Sequence, residues 1–98
     1  MDEGRALSVL GLAARAGQVV SGDSLCEKEI RAGRAGLALL DAGVSENTRG
    51  KYTALCAARA ITLREISADA LGKAIGKTNR MVVVVSRGPL AEKVASLL

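Results

Sequence analysis

The segment Leu71-Gly72-Lys73-Ala74-Ile75-Gly76 predicts a short helix that ends at glycine, and Met81-Val82-Val83-Val84-Val85 predicts a buried strand soon after it. Four polar residues, Lys77-Thr78-Asn79-Arg80, form the loop between them. A strand that is buried on both faces holds such a loop firmly in place. Two cations beside a helix end and the start of a strand indicate that the loop meets an anionic partner.

The composition is typical of one compact globular domain. The chain has 98 residues, of which 49% are hydrophobic and 24% are charged. No apolar run approaches the roughly 18 residues that span a bilayer, and Met1-Asp2-Glu3 lacks the basic flank of a signal peptide. We therefore expect a cytoplasmic protein that does not associate with membranes. The net charge of +4 favours nucleic acid among possible partners without selecting it.

Missing residue types exclude several kinds of catalytic site. Because the chain has no histidine, it cannot form a Ser-His-Asp triad, a Cys-His pair or a histidine metal site. Cys26 and Cys56 are thirty residues apart and are predicted to be core residues without a disulfide. Asp23, Glu27 and Asp41 could hold a metal ion, but their spacing does not demand one. We expect no cofactor, no metal and no enzymatic activity.

Helical and extended patterns alternate along the chain, without a linker, a repeat or a low-complexity segment. Strands are predicted over Gln18–Val20, Leu37–Leu40, Ile61–Ile66 and Met81–Val85, and helices over Arg5–Ala16, Ser24–Ala32, Ser45–Arg59, Ser67–Ile75 and Pro89–Leu98. Short apolar strands that alternate with helices predict an α/β fold, here a three-layer α/β/α sandwich around a small four-stranded sheet.

Polar residues mark the predicted helix starts, and glycine marks a helix end. Ser24 and Glu27 match a capping box, in which each side chain accepts a hydrogen bond from the other residue's backbone amide. Ser45 and Ser67 are predicted to cap the third and fourth helices. Gly17 is well placed to end the first helix.

Two joins between a strand and a helix are candidate binding loops. They are Ser21-Gly22-Asp23-Ser24 and Asp41-Ala42-Gly43-Val44-Ser45, and exposed amides at such helix starts can bind phosphate oxygens. The Gly76–Arg80 loop enters a strand rather than leaving one. It can join the other two loops only if strand Met81–Val85 runs antiparallel to strand Leu37–Leu40. A shared site therefore predicts a mixed sheet.

Several motifs occur in the order found in one known family. They are Leu10-Gly11-Leu12-Ala13-Ala14-Arg15-Ala16-Gly17, Ser21-Gly22 followed by Lys28, Ser45-Glu46-Asn47-Thr48, and Leu71–Gly76 with Arg80 and the valine strand. Together they resemble the kink-turn RNA-binding ribosomal protein superfamily, which includes the large-subunit proteins seven-Ae and thirty-e. The most similar part of it is the small bacterial YlxQ-like branch. The resemblance covers about residues 7–98.

The resemblance implies a non-catalytic, monomeric protein that docks on structured RNA, such as a kink-turn, in a ribosomal or translation-associated setting. In that family the start of the second helix enters the widened major groove beside sheared G·A pairs, and the loop before the last strand covers an extruded base. Carried over to this chain, the RNA-binding residues are Gly22, Asp23, Ser24, Lys28, Lys77, Thr78, Asn79 and Arg80.

The chain departs from the strong kink-turn binders at the helix start. Ser24 and Leu25 stand where those proteins have Asn-Glu, and Lys77 stands where an apolar residue is usual. Ser24 is too short to contact two base edges, and Leu25 cannot accept a hydrogen bond from a guanine amino group. A second hypothesis is therefore a protein-interaction module that keeps the fold and has lost specific RNA recognition. Leu25 at the helix start favours it.

Overall fold

The computed structural model describes all residues from Met1 to Leu98 and contains five helices and four strands. The helices are α1 (Glu3–Arg15), α2 (Asp23–Arg31), α3 (Glu46–Ala58), α4 (Ala70–Ile75) and α5 (Pro89–Leu97). The strands are β1 (Val19–Ser21), β2 (Ala35–Asp41), β3 (Thr62–Ile66) and β4 (Val82–Ser86). None of the five helices has the length and apolar character that crossing a bilayer requires.

The sheet is mixed, as predicted. Its strand order is β1-β4-β2-β3; β2 and β3 are parallel, and β4 runs antiparallel to both of its neighbours. Leu40 pairs with Val82 and Ser21 pairs with Val83. Strands β1, β2 and β3 therefore end at the edge where β4 begins. We call this edge the loop edge; it comprises residue 22 and residues 42–45, 67–69 and 76–81.

Helices cover both faces of the sheet, so the predicted three-layer sandwich is confirmed. Side chains alternate between the faces along each strand. On one face, Leu37, Leu39, Val83 and Val85 pack against α1, α4 and α5. On the other face, Ala38, Leu40, Val82 and Val84 pack against α2 and α3.

Both cysteines lie in the core between the sheet and helices α2 and α3, as predicted. Their thiols are free, and the Cys26 thiol donates to the backbone carbonyl of Val20 at 3.3 Å. Burial raises the pKa of Cys56, and it raises the pKa of Cys26 to about 12. These thiols therefore remain protonated and act as small apolar groups.

The predicted capping box at Ser24 is wrong. The N-cap of α2 lies two residues earlier, at Gly22, which has a φ of 95° and makes no side-chain cap, and the helix begins at Asp23. Glu27 forms ion pairs with Arg31 and Lys51 instead of reaching back to the helix start. The earlier start is stabilised by a contact with α3, because the Asp23 side chain accepts hydrogen bonds from that helix.

The predicted cap at Ser67 is also wrong, whereas the cap at Ser45 is confirmed. Helix α4 begins at Ala70 and follows Asp69, which adopts a left-handed conformation with a φ of 66°. The Asp69 amide donates to the Asp41 carboxylate at 2.7 Å, and this long-range bond fixes the turn. The Ser45 hydroxyl accepts from the Thr48 amide at 3.2 Å, as an N-cap does.

Candidate functional site

The turn between α4 and β4 is shaped by two glycines. Gly76 has a φ of 74°, a left-handed conformation that suits glycine, and it ends α4. The Lys77 amide then donates to the Gly72 carbonyl at 2.8 Å, which closes a Schellman-type turn. A Cβ atom on Gly72 would lie 2.6 Å from the Lys77 carbonyl oxygen. Only glycine at position 72 therefore lets the loop fold back against its helix in this way.

The loop presents the polar residues that the sequence singled out. Lys77, Thr78 and Asn79 are exposed, and Arg80 is half-buried. Asn79 has a φ of 53°, a conformation that asparagine tolerates better than most residues. The Arg80 Nε is buried without a hydrogen-bond partner. A guanidinium carries five N–H donors in a fixed fork, so Arg80 adds to the donors of this loop.

A cleft of about 190 Å³ lies beneath this loop and contains both acidic and basic groups. Lys73, Lys77 and Arg80 contribute the positive charge, and none of them forms an ion pair within the protein. Asp41 contributes a buried carboxylate, whose oxygens accept from the amides of Gly43 and Asp69 at 2.7 Å each. Asp41 therefore ties two loops of the edge together, while the cations remain available.

A second cleft, of about 390 Å³, adjoins the first. It lies between Gly22 and Asp23 at the start of α2, the β2–α3 loop, and Asn79 of the α4–β4 loop. Asn79 lines both clefts. The structure thus brings Gly22 and Asp23 next to the α4–β4 loop. Ser24 and Lys28 are exposed on α2 and line neither cleft.

Asp23 is held by helix α3. Its carboxylate accepts from the Tyr52 hydroxyl at 2.6 Å and from Lys51 Nζ at 3.0 Å. The Tyr52 hydrogen bond, followed by the one from Lys51, lowers the pKa of Asp23. Lys51 also contacts Glu27 at 2.7 Å, and the hydrogen bonds that Lys51 donates to Glu27 and Asp23 raise the pKa of Lys51. Sequence reasoning missed this network, because no local pattern links Asp23 to a tyrosine 29 positions away.

The carboxylates that could have held a metal ion do not form a shared ligand set. Asp23 and Glu27 are engaged by Lys51, whereas Asp41 accepts backbone amides in the other cleft. No group of three or more side chains with metal-ligand chemistry comes together in the structure.

Most cations of the α2–α3 side are already neutralised. Arg31, Arg34 and Arg49 pair with Glu27, Glu29 and Glu65, respectively. Lys28 is exposed and forms no ion pair. The cations of the α4–β4 loop, Lys77 and Arg80, also form none.

Two further cations were not singled out from the sequence. Lys73 lines the first cleft, and Arg15 lies near it in a groove between α1 and α4. The position of Lys73 in the last turn of α4, just before the α4–β4 loop, was a usable signal. Arg15 belongs to the Leu10–Gly17 motif, and nothing local connects it to the loop.

Most of the sequence carries the signature of a known family. Residues 5–94 match the profile of the Ribosomal protein L7Ae/L30e/S12e/Gadd45 family. The chain belongs to this family. The resemblance inferred from the ordered motifs is thereby confirmed, and the L7Ae-type fold accounts for the mixed sheet with its five helices.

Two curated relatives carry the name RNA-binding protein YlxQ. The protein from Bacillus subtilis (strain 168) is 45% identical over 91 residues, which are 92% of this chain and 91% of the relative. The protein from Enterococcus faecium is 29% identical over 102 residues, which cover 100% of this chain and 98% of the relative. These similarities support the YlxQ-like branch within the L7Ae family.

Solved structures show the same fold. A Bacillus halodurans protein described as having unknown function superposes with a TM-score of 0.92 at 33% identity, covering 97% of each chain. The Giardia lamblia 15.5kD RNA binding protein superposes with a TM-score of 0.75 at 17% identity, covering 94% of this chain and 86% of the other. At that identity the second likeness concerns the fold alone.

Proposed function

We propose that this L7Ae-family chain is a non-catalytic RNA-binding protein that docks on structured RNA through the loop edge. The observation that carries the proposal is the meeting of the α2 start with the α4–β4 loop, where Lys77 and Arg80 have no intramolecular ion pair. Unpaired cations beside exposed backbone amides suit the phosphate backbone of RNA. The names of the YlxQ relatives point to the same class of partner.

The start of α2 is suited to a close approach by RNA. A Cβ at Gly22 would meet no atom within 4 Å, so this side of the backbone is open. The first amides of the nine-residue helix point outward and favour an oxygen acceptor. Lys28 lies further along the same helix and would contact phosphate or a guanine edge. Asp23, held by Tyr52, positions the helix start for this contact.

The RNA that best matches these two elements is a kink-turn or a similar internal loop. In this proposal α2 contacts the widened groove, and Thr78 and Asn79 cover an extruded base. Arg80 offers a planar donor pair to phosphate. Ser24 and Leu25 leave few contacts to base edges, so most of the affinity is electrostatic and selectivity for G·A pairs is modest. A monomer in the cytoplasm, associated with translation or ribosomal RNA, fits this role.

Mobility-shift titrations with a kink-turn stem and a matched stem without the G·A pairs test the proposal. Replacing Lys28 or Arg80 with Ala should weaken binding, and each lost phosphate contact should reduce the slope of log K against log salt by about 0.9. Lys93→Ala, at an exposed position of α5 outside both clefts, is the matched control. Weak, equal binding to both stems would rule out kink-turn recognition, and unchanged binding by both variants would rule out this site.

A protein-interaction module is the second candidate function. It is favoured by Leu25, which is 58% exposed at the start of α2. If the module hypothesis holds, a partner captured by the protein will survive RNase treatment and will be lost with Leu25→Ser. Loss of the partner on RNase treatment favours the RNA-binding function instead.

A further inference from the structure

We propose that the RNA-binding surface continues from the α4–β4 loop into the groove between α1 and α4, where Arg15 and Lys73 bind phosphates of a flanking stem. This inference rests on the proposed function and adds a second contact region to it. The relevant surface is the cationic strip, defined as Arg15, Lys73, Lys77 and Arg80.

The strip is continuous in the structure. Two hollows of about 490 Å³ and 360 Å³ lie along the groove, and both are lined by Arg15 and Lys73. Lys73 also lines the cleft beneath the α4–β4 loop, together with Lys77 and Arg80. A strand of RNA held at that loop therefore reaches Lys73 first and Arg15 next as it passes along the groove.

The groove end of the strip has no carboxylate beside it, whereas Asp41 and Asp69 line the cleft beneath the α4–β4 loop. Arg15, Lys73, Lys77 and Arg80 form no ion pair, and no carboxylate lines either hollow. Such a surface attracts an extended anion rather than a single bound ion. A nucleic-acid duplex carries one negative charge per roughly 1.7 Å of its axis, so a stem along the groove offers phosphates to both residues.

The groove between α1 and α4 has a floor of small residues. A Cβ at Gly11 would lie 3.1 Å from the Ala74 carbonyl oxygen, so α1 and α4 approach closely at this point. Gly11, Ala70 and Ala74 form this floor, and the long side chains of Arg15 and Lys73 stand beside it. Phosphate contacts of this kind fix the position of a stem and carry no sequence information.

Helix stability offers a competing reason for these two cations. Arg15 lies in the last turn of α1 and Lys73 lies in the last turn of α4. Cations at these positions interact favourably with the helix dipole whether or not RNA binds. A decisive experiment must therefore separate RNA affinity from protein stability.

The test compares the double variant Arg15→Gln/Lys73→Gln with the control Arg5→Gln/Lys93→Gln, which loses the same charge at exposed positions outside the hollows. The probes are a kink-turn RNA with long stems and versions in which one stem at a time is cut back. Raising the salt from about 50 to 200 mM weakens binding of the long RNA. Without two phosphate contacts, this weakening should be about twelvefold smaller for the double variant than for the wild type. The control should retain the wild-type salt dependence. When the stem that lies along the groove is cut back, the wild type and the double variant should show the same affinity and the same salt dependence.

Three other results would each contradict a different part of the proposal. If the wild type binds the kink-turn RNA and the double variant has the same salt dependence, the groove does not contact RNA, although the proposed function stands. If a thermal melt shows lower stability for that variant with unchanged salt dependence, the two cations serve only the helix ends. If the wild type binds none of the RNAs, the proposed function fails and this inference fails with it.

Discussion

Replacing Gly72 with Ala should destabilise the protein, although the same change stabilises most helices. Gly72 lies inside α4, where alanine has a higher helix propensity by about 1 kcal/mol. The added Cβ, however, would lie 2.6 Å from the Lys77 carbonyl oxygen, a backbone atom that cannot rotate away. The contact forces the α4–β4 loop away from its helix.

The expected magnitude follows from three contributions. Overpacking a close contact costs about 1–3 kcal/mol. Displacing the loop also weakens the hydrogen bond from the Lys77 amide to the Gly72 carbonyl, at a cost of about 1 kcal/mol. After the gain of about 1 kcal/mol in helix propensity, the free energy of unfolding should fall by about 2 kcal/mol. For a domain of this size that lowers Tm by roughly 8–16 °C.

Gly50→Ala provides the matched control, since Gly50 lies inside α3 and a Cβ there would meet no atom within 4 Å. This variant should gain about 0.5–1 kcal/mol and melt at a higher temperature than the wild type. Thermal and urea unfolding followed by circular dichroism measure both changes. Equal stabilisation by the two substitutions would falsify the steric explanation for Gly72. If the loop carries RNA contacts, Gly72→Ala should also weaken RNA binding at temperatures where the variant is fully folded.

Two further predictions concern the polar contacts between side chains. Tyr52→Phe removes the donor to the Asp23 carboxylate and should lower the free energy of unfolding, measured by urea titration, by about 1 kcal/mol. The loss is no larger because the carboxylate is partly exposed and water can replace the hydroxyl. An unchanged urea midpoint would show that the contact contributes nothing to stability. Acid should also destabilise the protein, because four carboxyl groups have lowered pKa values in the folded state. The cause is a hydrogen bond from Tyr52 to Asp23, and hydrogen bonds from Lys or Arg side chains to Glu27, Glu29 and Glu65. The unfolded chain then binds more protons than the folded one at acidic pH. Stability that is present above about pH 4.5 is therefore lost as the pH falls through the folded-state pKa values. A urea midpoint at about pH 3 equal to that at neutral pH would refute the stabilising role of these hydrogen bonds.

The sheet and its helices could be predicted because they depend on local patterns. The valine run of β4 and the helix-ending Gly76 are readable from neighbouring residues alone. The antiparallel direction of β4 followed from requiring three loops to meet, and the pairing of Leu40 with Val82 confirms it. Ser45 was a correct cap because its partner, Thr48, is only three residues away.

The errors, and every omission except that of Lys73, involve contacts between distant parts of the chain. The start of α2 depends on Tyr52, and the start of α4 depends on the Asp41 carboxylate. A serine near a predicted helix start says nothing about such partners, so both caps were placed wrongly. The approach of Arg15 to the α4–β4 loop likewise requires the packing of α1 against α4. The roles of Gly22, Lys28 and Arg80 toward RNA stay predictions that the proposed titrations address.

The single aromatic ring gives this protein an optical reporter of its own. Tyr52 is the only aromatic residue in the chain, it is fully buried, and its hydroxyl contacts Asp23 at the start of α2. The tyrosine emission and the near-ultraviolet circular dichroism of the unbound protein therefore arise at one place, the contact between α2 and α3. Loosening of the α2 start, by acid or by substitution at Lys51, can be followed there without a label. Global unfolding, which also involves the opposite face of the sheet, can be followed separately through the backbone signal.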